Sequence, residues 1–203
     1  EKGFANLDKH IENMKKFGVP TVVAINRFPT DTDAELKMTA EHCKKVGARF
    51  AKSEVFVKGG EGGVELAKAV LESLEKEKAN FKLLYDVNLP IKKKIEILAK
   101  EIYGADGVVY TGSASADIAA IEKAGNDKQP LCMAKTQHSL TDDPAKKGAP
   151  KGWTLTVREV RLSNGAGFIV PLTGKMMTIP GLPTVPAAER INIDDKGYIT
   201  GLN

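Results

Sequence analysis

The residues that follow a short apolar run near the start of the chain are the first candidates for a binding site. Residues 22–25 are continuously apolar, which is typical of a strand buried on both faces of a parallel sheet. Asn26, Arg27 and Phe28 come directly after this run. In open α/β sheets the ligand crevice lies beyond the carboxyl ends of the strands, so these three residues lie where a site would be built.

A second apolar run, residues 55–57, predicts another strand, and a glycine-rich turn follows it. Lys58 begins the turn, and its glycines are Gly59, Gly60, Gly62 and Gly63. Glycines let backbone N–H groups converge, and the helix predicted after them favours negative charge at its N-terminus, so the turn could bind an anion. The alternative is a flexible strand-to-helix turn. It is not a P-loop, because the lysine precedes the glycines and no Gly-Lys-Ser/Thr follows.

Phe28 and Phe56 are therefore expected to end neighbouring strands. Flat aromatic rings at the rim of a cleft suit stacking against a planar heterocycle, although two core aromatics at strand ends are the alternative. A ligand ring held between them needs about 3.5 to 4 Å on each side, so the two rings should face one another at roughly 7 to 8 Å. The aromatic pair and the neighbouring glycine turn together form one candidate site, and a structural role remains the alternative for each of them.

Other reactive residue types lack the spacing that their chemistry requires. A short loop holds the letters of a hydrolase triad, but they are crowded together without a nucleophile elbow; they are His138, Ser139, Asp142 and Asp143. The three histidines of the chain have no ligand spacing, so no metal site is expected. Cys43 and Cys132 lack CxxC spacing and are expected to be two buried thiols.

The composition is that of an ordinary globular protein. The 203 residues are 42% hydrophobic and 28% charged, with a net charge of +4. Lysines alternate with glutamates along predicted helices, which favours a solvated surface over nucleic-acid binding. No apolar run approaches the ~18 residues of a membrane span and no signal-peptide pattern occurs, so we expect a cytoplasmic protein. Because the sequence begins with Glu1, we expect it to be a fragment of a longer chain.

Helical and strand patterns alternate along the sequence. Helices are predicted over residues 4–18, 32–47, 64–74, 90–104 and 117–124, and strands over 22–25, 49–57, 107–110, 130–134, 155–162 and 168–172. This order predicts an α/β fold, a mostly parallel sheet with flanking helices, followed by a smaller mixed α+β carboxyl-terminal part. We expect domains at 1–80 and 81–203. Residues 136–152 are a polar loop, and a tail over the surface is expected from Thr178 onward.

Four motifs together carry a resemblance to a known family. They are Phe28-Pro29-Thr30-Asp31-Thr32, Lys58-Gly59-Gly60-Glu61-Gly62-Gly63, Cys132-Met133-Ala134-Lys135-Thr136-Gln137 and Pro180-Gly181-Leu182-Pro183. In this order, over nearly all of the chain, they resemble the carboxyl-terminal part of formate–tetrahydrofolate ligase.

The resemblance implies an ATP-dependent ligase that joins formate to tetrahydrofolate through formyl phosphate, giving 10-formyltetrahydrofolate. It implies ATP, magnesium and tetrahydrofolate as substrates or cofactors, formate as the further substrate, and a homotetramer when the protein is full length. The family places its P-loop and magnesium in an amino-terminal part, so this chain holds no catalytic residue and is expected to be inactive alone. The alternative is a self-standing α/β binding or interaction module without catalysis.

The resemblance also implies roles for individual residues. The family holds its folate between two aromatics at the positions of Phe28 and Phe56; the second is usually tryptophan, so Phe56 departs from the pattern. The turn from Lys58 through Gly59, Gly60, Gly62 and Gly63, together with Asn26, is the candidate anion or nucleotide contact.

Overall fold

The computed structural model describes residues 2–174 and 185–201 and has the α/β architecture that the sequence predicts. The first half contains these elements: α1 (Phe4–Lys16), β1 (Val22–Asn26), α2 (Asp33–Lys45), β2 (Arg49–Ser53), α3 (Val55–Lys58), a 3-10 helix (Gly59–Gly63) and α4 (Val64–Lys76). β1 and β2 pair in parallel, with Val22 opposite Arg49 and Asn26 opposite Ser53. Both strands therefore end at the same edge of the sheet.

The helix boundaries in this half follow local sequence signals. The capping box at the start of α2 is present, since the Thr32 side chain accepts from the Glu35 backbone and the Glu35 carboxylate accepts from the Thr32 backbone. Gly18, after α1, has a φ of +70°, and a Cβ there would lie 2.0 Å from the carbonyl oxygen of Asn80. Glycine is thus required where the chain leaves α1 for β1.

Two expectations about this half are wrong. Residues 55–57 form the helical turn α3 and not a strand, because the N–H groups of Val57 and Lys58 both bond the carbonyl of Glu54. β1 is also not buried on both faces: Ala24 is exposed, and β2 is its only strand partner among the described residues. An apolar run as short as three residues does not by itself distinguish a strand from a helical turn.

The second half has its own sheet and most of the buried core. Its elements are α5 (Ile91–Ile97), a π-helical turn (Leu98–Tyr103), β3 (Gly107–Tyr110), α6 (Ala114–Lys123), β4 (Thr154–Ser163) and β5 (Phe168–Thr173). The strand order is β3-β4-β5, with β3 parallel and β5 antiparallel to β4. The core between α5, α6 and this sheet includes Ile95, Ile118 and Leu155.

β4 changes its buried face partway along, which explains why neither face reads as apolar in the sequence. The register against β5 shifts between Val157 and Glu159. Leu155 and Val157 are buried before the shift and Val160 after it, so the buried positions pass from odd to even numbers. A β-bulge has this effect because one extra residue reverses the alternation of side chains.

Residues 130–134 do not form the predicted continuous strand. They run beside β5 and are joined to it by two isolated parallel bridges, from Leu131 to Ile169 and from Ala134 to Leu172. Cys132 in this segment is exposed, whereas Cys43 is buried, so the expectation of two buried thiols is wrong for Cys132.

The remaining described segments are short. Residues 136–152 contain neither helix nor strand, as predicted. Residues 185–201 contain a 3-10 turn (Ala187–Glu189) and a hairpin of β6 (Asn192–Ile193) and β7 (Ile199–Thr200) whose residues are exposed. The Pro180-Gly181-Leu182-Pro183 motif and the start of the expected tail lie outside the described residues. Among the described residues no helix is long and apolar enough to span a membrane.

The predicted domain division at residue 80 stays a prediction. α1 lies in the first half of the chain, yet its Asn13 amide donates to the carbonyl of Ile102 and its Lys16 pairs with Glu101. On its other side, His42 of α2 lies 2.6 Å from the Asp8 carboxylate and its ring stacks on Phe4 at 4.0 Å. α1 therefore contacts both halves.

Candidate functional site

The candidate site lies at the carboxyl ends of β1 and β2. The backbone N–H of Arg27 donates to the carbonyl of Ser53 at 2.8 Å, so the two chains stay paired for one residue beyond the register of the strands. Asn26 is the last residue of β1 and is exposed. Phe28 lies two residues after β1, and Phe56 lies on α3, three residues after β2. The parallel pairing thus brings together two segments that are far apart in sequence.

The two phenylalanine rings contact one another at the surface. Their centroids are 5.3 Å apart, with 50° between the ring planes. Phe28 is 48% exposed and Phe56 is 75% exposed. The predicted separation of roughly 7 to 8 Å is therefore wrong, because 5.3 Å leaves no space for a third ring. A planar ligand would enter only if Phe56, the more exposed ring, turned away from Phe28.

The turn that carries Phe28 is held by its own side chains. The Phe28 N–H donates to the Asp31 carboxylate at 2.8 Å, and the Asp31 N–H donates back to the Phe28 carbonyl at 3.0 Å. Thr32 then caps α2. Pro29 restricts the backbone between them. The Phe-Pro-Thr-Asp-Thr motif is thus a closed turn that fixes the Phe28 backbone at the strand end.

Backbone conformation explains one of the four glycines in the turn after α3, and close packing explains two. Gly59 has φ +60° and ψ −142°, a conformation open to glycine alone. A Cβ on Gly62 would lie 2.4 Å from the carbonyl of Glu54, and one on Gly63 would lie 3.1 Å from Val55. A Cβ on Gly60 would meet nothing within 4 Å. These contacts favour the structural explanation of the turn, and anion binding there remains a proposal.

Glu54, which sequence reasoning missed, collects the cationic side chains of this region. Its carboxylate accepts from Lys58 at 2.9 Å and from Lys52 at 3.1 Å, and it lies 3.7 Å from the Arg27 guanidinium. Arg27 also pairs with Asp33 at 2.9 Å. The hydrogen bonds from Lys58 and then Lys52 hold the pKa of Glu54 below its usual value.

One signal for this cluster was present in the sequence. Glutamate four residues before lysine is the spacing of an ion pair on a helix, and it fits Glu54 and Lys58. It was missed because residues 55–57 read as a strand, where this spacing has no meaning. The contact between Glu54 and Lys52 depends on the end of β2 at Ser53 and the start of α3 at Val55. The sequence pattern did not predict this boundary.

The cysteine-methionine motif of the second half forms a separate structure. The Lys135 ammonium donates to the carbonyls of Thr136, Ser139 and Thr141 and lies 5.0 Å from the Tyr103 ring centre. Burial lowers the pKa of Lys135. These bonds hold the polar loop of residues 136–152 against Lys135. The motif of residues 132–137 therefore has a structural role in this part of the chain.

The described residues do not form a hydrolase triad or a metal centre. The Ser139 hydroxyl donates to the carbonyl of Lys146, and His138 pairs with Gln137 instead of with the serine. Asp142 accepts from the Thr156 backbone. Among residues 2–174 and 185–201, no three His, Cys, Asp or Glu side chains are placed to hold a metal ion.

The protein family is shown by comparison with family models. The model for formate–tetrahydrofolate ligase matches residues 1–203, the whole chain. The chain belongs to that family, and the resemblance seen in the four motifs is confirmed.

Proposed function

We propose that this chain supplies the folate-binding wall of a formate–tetrahydrofolate ligase. The observation that supports this best is the exposed pair of Phe28 and Phe56 at the carboxyl ends of two parallel strands. Ligands of open α/β sheets bind at this edge. Aromatic surface there suits the pterin ring of tetrahydrofolate, and the nearby Asn26, Lys58 and glycine turn are the proposed contacts for an anionic group.

The complete reaction forms 10-formyltetrahydrofolate from formate, ATP and tetrahydrofolate, through formyl phosphate. Phosphoryl transfer depends on positioning and on neutralising the phosphate charges. No P-loop sequence occurs in the 203 residues, so magnesium and the β- and γ-phosphates of ATP are proposed to be held by a further amino-terminal part, within a cytoplasmic homo-oligomer. The role of the present chain in that reaction is to bind and orient tetrahydrofolate.

The test of the folate site is Phe28→Ala. Stacking on an aromatic side chain is worth about 1 to 3 kcal/mol per base, so we expect at least a several-fold loss of tetrahydrofolate affinity by equilibrium dialysis. Phe81→Ala is the matched control, because Phe81 is a comparably exposed ring outside the site. Equal affinities for the wild type and Phe28→Ala would contradict the proposal.

Catalytic competence is tested on the purified chain. With ATP, magnesium, formate and tetrahydrofolate present, we expect no 10-formyltetrahydrofolate. Turnover that follows the chain through purification would show that these residues are sufficient and would refute the division of labour proposed here.

One observation favours the alternative of an interaction module without catalysis. α4 exposes Val64, Leu71 and Leu74, which lie on one side of the helix, while Ser73 is buried. This apolar side of α4 is therefore left uncovered. A chain that binds no tetrahydrofolate but associates through α4, so that Leu71→Lys abolishes the association, would support this alternative.

A further inference from the structure

Glu54 is the least exposed charged group of the candidate site. Its side chain is 17% exposed, whereas that of Lys58 is 54% exposed. Three cationic groups surround it, from Arg27, Lys52 and Lys58. Among the described residues, Glu54 and Asp33 are the carboxylates that form ion pairs with these three groups. Each ammonium has three donors, so a lysine bonded to Glu54 keeps donors for a second partner.

The backbone holds Glu54 in one place. Its N–H donates to the carbonyl of Gly62 at 2.9 Å, and its own carbonyl accepts from Val57 and Lys58. The same carbonyl fills the space that a Cβ on Gly62 would need. The glycine turn therefore packs directly on the backbone of Glu54. Because this backbone is held in place, the Glu54 carboxylate can order the long, flexible side chains of Lys52 and Lys58 that bond to it.

The cationic cluster lies next to the aromatic pair along the chain. Arg27 immediately precedes Phe28, and Lys58 follows Phe56 by two residues. Lys58 is the most exposed of the three cations. The aromatic pair and the cationic cluster therefore share the segment after β1 and the helical turn α3.

We propose that Glu54 is a positioning residue that holds Lys52 and Lys58 for the oxyanion of a ligand whose flat heterocycle stacks on Phe28 and Phe56. This rests on the proposed function and deepens it. Two sources share the chemistry: a glutamate carboxylate of tetrahydrofolate, or a phosphate of ATP. Glu54 acts through the lysines and does not touch the ligand.

A competing role for Glu54 predicts the opposite sign. If its carboxylate merely occupied the lysines, Glu54→Gln would free them and the ligand would bind more tightly. If Glu54 orders the lysines, the same substitution releases two flexible side chains and weakens binding. Salt separates the two effects. Removing the Glu54 charge makes the site more positive, and the resulting attraction for an anion is screened at high ionic strength. The loss of order in the lysine side chains is not screened.

The experiment measures dissociation constants of the chain for three probes at 0.05 and roughly 0.5 M salt, the second chosen to shorten the Debye length to a few ångströms. The probes are tetrahydrofolate, tetrahydropteroate, which has the same ring system without the glutamate, and ATP. The variants are Glu54→Gln, Lys58→Met and the double variant. Glu75→Gln on α4 is the control, since Glu75 is an exposed glutamate outside the cluster.

We expect Glu54→Gln to weaken tetrahydrofolate roughly three- to tenfold at high salt, somewhat less than the loss of a direct charged hydrogen bond, and to leave tetrahydropteroate unchanged. Lys58→Met should have a similar effect, and the double variant should be little worse than either, because residues that act through one contact are not additive. The tetrahydropteroate affinity also reports that each variant is folded.

Each other outcome has a defined meaning. Weakening confined to ATP supports the cationic site and assigns its oxyanion to phosphate. Unchanged or tighter tetrahydrofolate and ATP binding by Glu54→Gln at high salt overturns the positioning role, as does equal weakening of tetrahydrofolate and tetrahydropteroate. A wild-type chain that binds neither pterin overturns the proposed function and this inference with it.

Discussion

The two halves of the molecule divide stability and recognition between them. Of the described buried apolar residues, Ile11, Cys43 and Ala51 precede residue 81 and fourteen follow it. The half with few buried residues is the one that presents the aromatic pair and the cationic cluster. Its parallel strand pair is covered incompletely, although parallel sheets are normally buried on both faces. The difference indicates that the second half supplies most of the stability and the first half most of the ligand contacts.

The largest effect is expected from Leu155→Ala in the second half. Leu155 lies on the central strand β4 with no exposed surface, and truncating a buried leucine costs about 2 to 5 kcal/mol of unfolding free energy. Leu74→Ala is the matched change in the first half, where Leu74 is 73% exposed; a surface substitution should stay within about 0.5 kcal/mol.

The single tryptophan makes this comparison measurable. Trp153 is buried in the core of the second half, so its fluorescence during urea unfolding reports on that half. If Leu74→Ala shifted the urea midpoint as far as Leu155→Ala does, the two halves would unfold as one unit. The second half would then not supply most of the stability.

A middle-sized effect is expected at Gly62, within the first half. A Cβ there would lie 2.4 Å from the Glu54 carbonyl, and forced overpacking costs about 1 to 3 kcal/mol. We expect Gly62→Ala to speed amide hydrogen exchange over residues 54–63 and to weaken tetrahydrofolate, with Trp153 fluorescence unchanged. Gly60→Ala is the control, because a Cβ at Gly60 meets nothing within 4 Å. Equal exchange rates in both variants would show that the packing of Gly62 on Glu54 does not hold the turn.

Local chemistry was predictable from the sequence wherever one short signal decides the structure. The capping box at Thr32 and Glu35, the glycine ends of the helices and the α/β order all follow from neighbouring residues. The strand patterns placed Phe28 and Phe56 at the ends of neighbouring strands, which is correct for the strand before Phe28 but wrong for Phe56, because Phe56 lies on the helical turn α3. These signals act within about one turn of chain, which is the range over which side chains and backbone compete directly.

The remaining features depend on contacts that the linear pattern does not contain. Residues 55–57 turn into a helix because β2 ends at Ser53 and the chain returns to bond Gly62. The bulge in β4 hides a buried face by shifting it from odd to even positions. The 5.3 Å contact between the two rings and the role of Glu54 both arise from tertiary placement, so sequence could propose the pair of rings but not its spacing.

The smallest effect is a dependence on pH that separates two glutamates. Hydrogen bonds from Lys100 and then Lys93 lower the pKa of Glu96 to about 2, and Lys58 and Lys52 lower that of Glu54. A carboxyl group whose pKa is lower in the folded chain contributes stability above its unfolded pKa, near 4.5, and this contribution is lost as the pH falls toward the folded value.

Glu96 lies on α5 beside the main core, so Glu96→Gln should flatten the fall in Trp153-monitored stability between pH 4.5 and 3. Glu54→Gln should leave that fall unchanged and should instead reduce the loss of tetrahydrofolate affinity on acidification, because the part of that loss caused by protonation of Glu54 is absent while protonation of the ligand's own carboxylates remains. If Glu54→Gln flattened the stability profile as Glu96→Gln does, the cationic cluster would belong to the stabilising half of the molecule and not to the ligand site.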